Sequence, residues 1–236
     1  MQSEHFRSQS GQDKYIHENL LHQEGGHFLE VGAFDGVYLS NTYFFEKQLG
    51  WTGILIEMKP DLFAGMPDRR PGSKCYNCAL GLENMDMLYF DAGDRSGLLR
   101  YYEPEGIEYL ERHYQPQQPK PVFQLKWINV RPIMDIIAEA GFRELDYFSL
   151  DVEGAELQIL SMIDFSRISI KVFTVEDNWG SWKKPREFLR PFGYQFIGRL
   201  HGDGFFVHES HLDALVAQHG QDYLNHLRAG LDQVIE

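Results

Sequence analysis

The run Asp151-Val152-Glu153-Gly154-Ala155-Glu156 sets three carboxylates within six residues, directly after the apolar stretch Tyr147-Phe148-Ser149-Leu150. Carboxylates crowded at the end of a buried strand repel one another unless they are paired, protonated or metal-bound, so they suit proton removal or cation binding. Asp151 and Glu153 are the candidate catalytic acids, while Glu156 reads as a helix N-terminal residue that favours the helix dipole. A second candidate base is His201, in the turn Arg199-Leu200-His201-Gly202-Asp203-Gly204.

A glycine loop, Glu30-Val31-Gly32-Ala33-Phe34-Asp35-Gly36, follows the apolar run that begins at His27 and precedes a helical pattern. In a doubly wound sheet, this is where glycines let a nucleotide-like ligand approach the backbone. A dinucleotide loop needs glycine at 32, 34 and 37; Phe34 and Val37 stand at two of those places. A phosphate-binding loop needs Lys-Ser/Thr after its last glycine, and Gly36 is followed by Val37-Tyr38. A sulfonium cofactor bearing adenosine fits better than either. Downstream, Gly53-Ile54-Leu55-Ile56-Glu57 ends in an acid at the offset where a carboxylate accepts hydrogen bonds from ribose hydroxyls. Asn77-Cys78-Ala79-Leu80-Gly81 is placed to flank an adenine.

These residues need a scaffold that brings strand ends together. Apolar runs at 27–31, 53–57, 74–77, 87–90, 127–130, 147–152 and 171–176 alternate with helical patterns at 40–49, 132–140 and 155–162, which predicts one open α/β sheet with helices on its faces. Ser40 is the expected N-cap of the first of these helices, and Gly50 its stop. Strands at 194–197 and 205–207 flank a tight turn and should pair antiparallel. Residues 1–236 read as a single domain: a cap helix at about 8–24, an insertion at about 91–126 carrying the loop Gln115–Pro121, and a helical tail at about 210–236. The tail should pack on the sheet or on a partner subunit, which points to a homodimer.

Composition excludes several classes. The formal net charge of −13 opposes nucleic acid and anionic lipid as partners, and 43% apolar with 14% aromatic content excludes a disordered chain. No apolar run is long enough to span a membrane, and no basic-then-apolar leader is visible, so the expectation is a soluble, cytoplasmic protein. Cys75 and Cys78 read as packed thiols. Arg69-Arg70 and Lys183-Lys184-Pro185-Arg186 read as solvated basic patches. Tyr101, Tyr102, Tyr109, Tyr114, Phe123, Trp179 and Trp182 are candidate substrate contacts in irregular segments.

From Ser8 to Val207 the motif set S-Q-S-G-Q-D, E-V-G-A-F-D-G, S-N-T, I-E-M-K-P, N-C-A-L-G and D-V-E-G-A-E resembles the FkbM-type S-adenosylmethionine-dependent methyltransferases. The resemblance implies a Rossmann-like class I methyltransferase: a mostly parallel seven-stranded sheet, helices on both faces and a C-terminal antiparallel hairpin. It also implies O-methylation of a hydroxyl on a small molecule, sugar or glycan, lipid or secondary metabolite. Carried over, Glu30, Gly32 and Gly36 would shape the methionine pocket, Glu57 would hold the ribose, and Cys78 and Ala79 would line the adenine. Gln12, Asn41 and Asp151 complete the cofactor-binding set. Phe34 departs from the general methyltransferase loop, which has glycine there, and Met58 stands where Asn or Pro is frequent. Asp151 with Asp177 and Asn178 is similar to the magnesium site of catechol-type O-methyltransferases, so magnesium joins the candidate cofactors. The alternative is a non-catalytic cofactor-binding or interaction module, since the domain family includes trafficking proteins similar to Star. A nicotinamide-dependent oxidoreductase is hard to reconcile with Phe34 and Val37.

Overall fold

In the computed structural model, the described residues are 5–101, 108, 112, 124–176 and 183–232. Asp177, Asn178, Tyr102, Tyr109, Tyr114, Phe123, Trp179 and Trp182 therefore lie outside them. Eleven strands are described: β1 (His27–Val31), β2 (Thr52–Glu57), β3 (Ser73–Asn77), β4 (Ala79–Leu80), β5 (Met85–Asp91), β6 (Gly97–Leu98), β7 (Gln124–Arg131), β8 (Glu144–Leu150), β9 (Ser169–Glu176), β10 (Tyr194–Leu200) and β11 (Asp203–His208).

The main sheet has seven strands in the order β10-β11-β9-β8-β1-β2-β3. Strand β11 pairs antiparallel with both neighbours and every other pairing is parallel, so the 194–207 segment forms the expected hairpin. The chain winds outward from β1 through β2 to β3, then returns to the other side of β1 at β8. The carboxyl ends of β1 and β8 thus sit at the topological switch point, where open α/β sheets bind ligands.

Alternation along the strands divides the core in two. Leu29, Val31, Phe148, Leu150, Phe173 and Val175 pack on one face with Ile133, Ile136 and Ile159 of the helices Ile133–Ala140 and Glu156–Leu160. Phe28, Leu55, Tyr147 and Val172 pack on the other with Ile16, Phe45 and Leu212 of the helices Gln12–Asn19, Tyr43–Leu49 and Glu209–His219. Strands covered on both sides read as continuous apolar runs for this reason. The C-terminal segment forms two helices, Glu209–His219 and Tyr223–Ala229, with Leu212, Leu215 and Leu227 buried on the sheet.

The structure corrects the expectation of one sheet. Strands β5 and β7, expected in the main sheet, instead pair antiparallel in a second sheet of order β4-β7-β5-β6. Its inner face, Tyr89, Leu98, Ile128 and Val130, has a core of its own. Alternation identifies a strand but not which sheet it joins. The helix after the glycine loop begins at Tyr43, not Ser40, although the Ser40 hydroxyl accepts from the Tyr43 N–H at 3.1 Å. Arg70 is also not surface: it is fully buried and donates to Glu46 (2.9 Å), the Gly36 carbonyl (2.8 Å), Ser40 and Thr42.

Candidate active site

A cavity of about 440 Å³ opens at the switch point, within the range of small-molecule sites. Its floor is the carboxyl edge of β1, β2 and β8, and one wall is the segment from Gly93 to Tyr101 around β6 of the second sheet.

The glycine loop builds the first side. Gly32 lies at φ 84, and a Cβ there would sit 1.8 Å from the Asp151 carbonyl oxygen, so only glycine lets the β1 loop lie against the end of β8. Phe34, at the middle position, has φ 52. It adopts the left-handed backbone that glycine would favour, at a cost of about 1 kcal/mol. That geometry aims its N–H at Glu57 Oε2 (2.9 Å), while Lys59 N–H donates to Oε1 (2.8 Å). Glu57 is buried, and burial raises its carboxyl to about 7 against the pull of those amides. Each oxygen keeps a lone pair for a further donor.

Glu30 and Gly36 act through the frame. The Glu30 carboxylate accepts from Ser40 Oγ (2.8 Å), Asn41 N–H (2.7 Å) and Thr42 Oγ1 (2.5 Å), with Arg70 3.9 Å away, so it buckles the loop after the glycines. Gly36 does not line the cavity: a Cβ there would press on Met66 and Arg70, and its carbonyl accepts from Arg70. It packs against Met66 and Arg70 behind the cavity wall. Asn41 lines the cavity and donates to Ser149 Oγ at 2.8 Å, leaving its buried Oδ1 without a partner. Gln12, from the N-terminal helix, donates its amide to Asp203 of β11 and closes the far end. Cys78 and Ala79 line the wall between the sheets; burial lifts the Cys75 and Cys78 thiols to about 11, which removes thiolate chemistry at neutral pH.

The opposite side is acidic. Oxygens of Asp151, Glu153 and Glu176 lie within 4.8 Å of one another. Register explains the meeting: Leu150 pairs with Val175, so the next residues of β8 and β9 are neighbours. Burial raises all three, Glu153 to about 8 with further help from Asp151, while a hydrogen bond joins Asp151 to Glu176. Arg95 of the second sheet's wall is ion-paired with Glu153. Glu156 turns back on its own loop, accepting from Gly154 N–H (3.0 Å) and Val152 N–H (3.1 Å), which is a structural role. Asp203 is buried, and burial raises it to about 7. His201 lines the cavity from an exposed turn at φ 53.

Of the oxygen trio expected for magnesium, only Asp151 lies within the described residues. Asp151 is in place, but its neighbour from β9 is Glu176, and Asp177 and Asn178 lie outside the described residues. Among the carboxylates that do meet, Glu153 already carries Arg95, and Asp151 and Glu176 bond to each other. Sequence reasoning missed Glu176 and Arg95. Glu176 was legible as an acid ending a strand; Arg95 carried no signal because it arrives from another sheet.

A parallel sheet of this order with one antiparallel strand, and a glycine loop and a strand-end acid at its switch point, define a Rossmann-like class I methyltransferase fold. Residues 30–196 match the methyltransferase FkbM domain, and the chain belongs to that family of methyltransferases. No curated protein matches it in sequence. Among solved structures it is similar to precorrin-6y C5,15-methyltransferase from Geobacter metallireducens GS-15, with 10% identity over 87% of this chain and 89% of that one and a TM-score of 0.45. It is also similar to a TehB-like SAM-dependent methyltransferase from Corynebacterium glutamicum (11%, 85% and 86%, TM-score 0.41). A third is Aeropyrum pernix fibrillarin in complex with S-adenosyl-L-methionine (10%, 78% and 66%, TM-score 0.40). Among the described residues, no helix is long and apolar enough to cross a membrane.

Proposed function

We propose that this protein is an S-adenosylmethionine-dependent O-methyltransferase that acts on a hydroxyl of a small molecule, sugar or secondary metabolite. The observation that carries the reading is Glu57. Two backbone N–H groups orient its carboxylate in the cavity wall, one from the glycine loop itself, and leave acceptor capacity facing outward. A pair of ribose hydroxyls is the donor set that this geometry suits. Of the residues lining the cavity, Cys78 and Ala79 would flank the adenine, Gly32 would admit the chain carrying the sulfur, and Gln12, Asn41 and Asp151 would bound the methionine end.

When bound, the cofactor supplies an electrophilic methyl group on a positively charged sulfur and would donate it to the acceptor oxygen, with the carbon–sulfur electron pair leaving on sulfur. The residues of this chain orient the acceptor, and its hydroxyl proton would pass to one of their carboxylates. Glu153 is the base: it titrates near neutral pH, where proton acceptance and driving force are balanced, and it borders the cavity. Asp151 supports it, and His201 is a second base at the cavity edge.

Calorimetry with S-adenosylmethionine and S-adenosylhomocysteine tests the reading. Wild-type binding that weakens in Glu57→Ala supports it, and a screen of hydroxylated acceptors with radiolabelled methyl donor then identifies the substrate. Absence of binding to the wild type would overturn it in favour of an interaction module.

A further inference from the structure

The second sheet reaches the cavity through β4, β6 and the short loop Asp91–Ser96, and the loop is braced by several polar contacts. The Ser96 hydroxyl donates to the Gly93 carbonyl (2.7 Å) and accepts from Ala92 N–H (3.0 Å). Asp91 is held by Lys126 (2.5 Å) and by Lys59 (3.2 Å). These lysines draw the Asp91 carboxyl down to about 2 despite partial burial.

From this braced loop, contacts cross to the main-sheet side at two residues, Lys59 and Glu153. At the first, Lys59, two residues after Glu57, also donates to the Gly93 carbonyl at 3.1 Å. At the second, the Arg95 guanidinium is paired with Glu153, with side-chain exposures of 29% and 18%. Glu153 has φ 61, a left-handed conformation for a residue with a side chain, and it projects from the turn that Glu156 pins through Val152 and Gly154. Both partners, Lys59, and the loop residues Gly93 and Ser96 line the cavity, so the crossing contacts form part of its wall.

We infer that Arg95 is a positioning residue: delivered by the rigid 91–96 loop, it holds Glu153 in place and clasps the second sheet over the adenosyl ligand. The inference rests on the cofactor reading above, because it names that ligand as what is retained. A clasp acts chiefly on the rate of escape. An ion pair that is partly screened from water, anchored on both sides by satisfied loops, loses little side-chain entropy on closing.

The test is stopped-flow binding of S-adenosylhomocysteine to the full chain. The variants are Arg95→Gln, Arg95→Lys and the charge exchange Arg95→Glu with Glu153→Arg, with melting temperature as the fold control. Expected is an approximately tenfold faster dissociation for Arg95→Gln with the association rate within about threefold of wild type, a result that a general loss of stability would not produce. Arg95→Lys should recover part of the loss, and the exchanged pair should dissociate more slowly than either single reversal. Dissociation from folded Arg95→Gln within twofold of wild type would overturn the clasp while leaving the cofactor reading intact. Wild-type protein that binds no S-adenosylhomocysteine would overturn the cofactor reading, and the clasp with it.

Discussion

The two sides of the cavity hold buried acids by opposite means. Glu57 sits on backbone: two N–H groups, from Phe34 and Lys59, satisfy it whatever surrounds the cavity. Asp151, Glu153 and Glu176 sit mainly on one another, with Arg95 as the cation paired to Glu153. Backbone satisfaction fixes the Glu57 carboxylate, which suits the recognition role proposed for it. Mutual crowding makes the trio responsive to charge, which suits a place where a proton is moved.

The harshest test falls on the contact that joins the two sides. Gly32→Ala places a methyl 1.8 Å from the Asp151 carbonyl oxygen at a φ of 84, so a loss of about 3 kcal/mol or more is expected in urea unfolding, or failure to fold. A stable variant would mean that the loop and the end of β8 can separate.

Next, Glu57→Ala should weaken S-adenosylhomocysteine binding roughly 10- to 100-fold, the worth of one or two hydrogen bonds to a charged acceptor. Calorimetry should show Glu153→Ala weakening it much less at equilibrium. Equal losses would erase the distinction between recognition side and reactive side.

The pH dependence of folding sharpens the same contrast. Glu57, Glu153 and Asp203 have folded values near 7 or 8, well above those of an unfolded chain. Between about pH 4.5 and 8 the native state therefore binds more protons than the unfolded one, and stability falls as pH rises. The melting temperature of the ligand-free protein should drop by roughly 5 °C or more from pH 5 to pH 8. Glu153→Gln should flatten that slope, read by calorimetric scans across the range. A slope unchanged by the substitution would remove Glu153 from the titrating group.

The smallest effects are expected at the rim. Phe34→Gly relieves the left-handed strain but loses the ring and gains unfolded-state entropy, so stability should stay within about 1 kcal/mol of wild type. His201→Ala, in an exposed turn, should leave S-adenosylhomocysteine affinity within about twofold, measured by calorimetry.

How legible each part was follows from the range of the interaction involved. Glu57 and the glycine loop were readable because their chemistry is local: a strand, a tight turn, then an acid at a set offset. The hairpin 194–207 was readable because its strands are neighbours in sequence. The second sheet was not, since β5 and β7 pair across more than thirty residues and alternate like any strand. Arg70 was misplaced for a related reason. An arginine is solvated by default, and only the assembled loop reveals Glu46, Gly36, Ser40 and Thr42 waiting to receive it.

By itself, then, the amino-acid order determined the class of fold, the family, the glycine loop after β1 and the acid that ends β2. Each is written in short-range pattern: apolar period, glycine placement and strand-end polarity. Tertiary structure alone decided that Glu176 joins Asp151 and Glu153, that Arg95 meets them from another sheet, and that Gly32 admits no side chain. Those outcomes depend on strand register and sheet-to-sheet approach, where ångström-scale distances between residues remote in sequence set which charges meet.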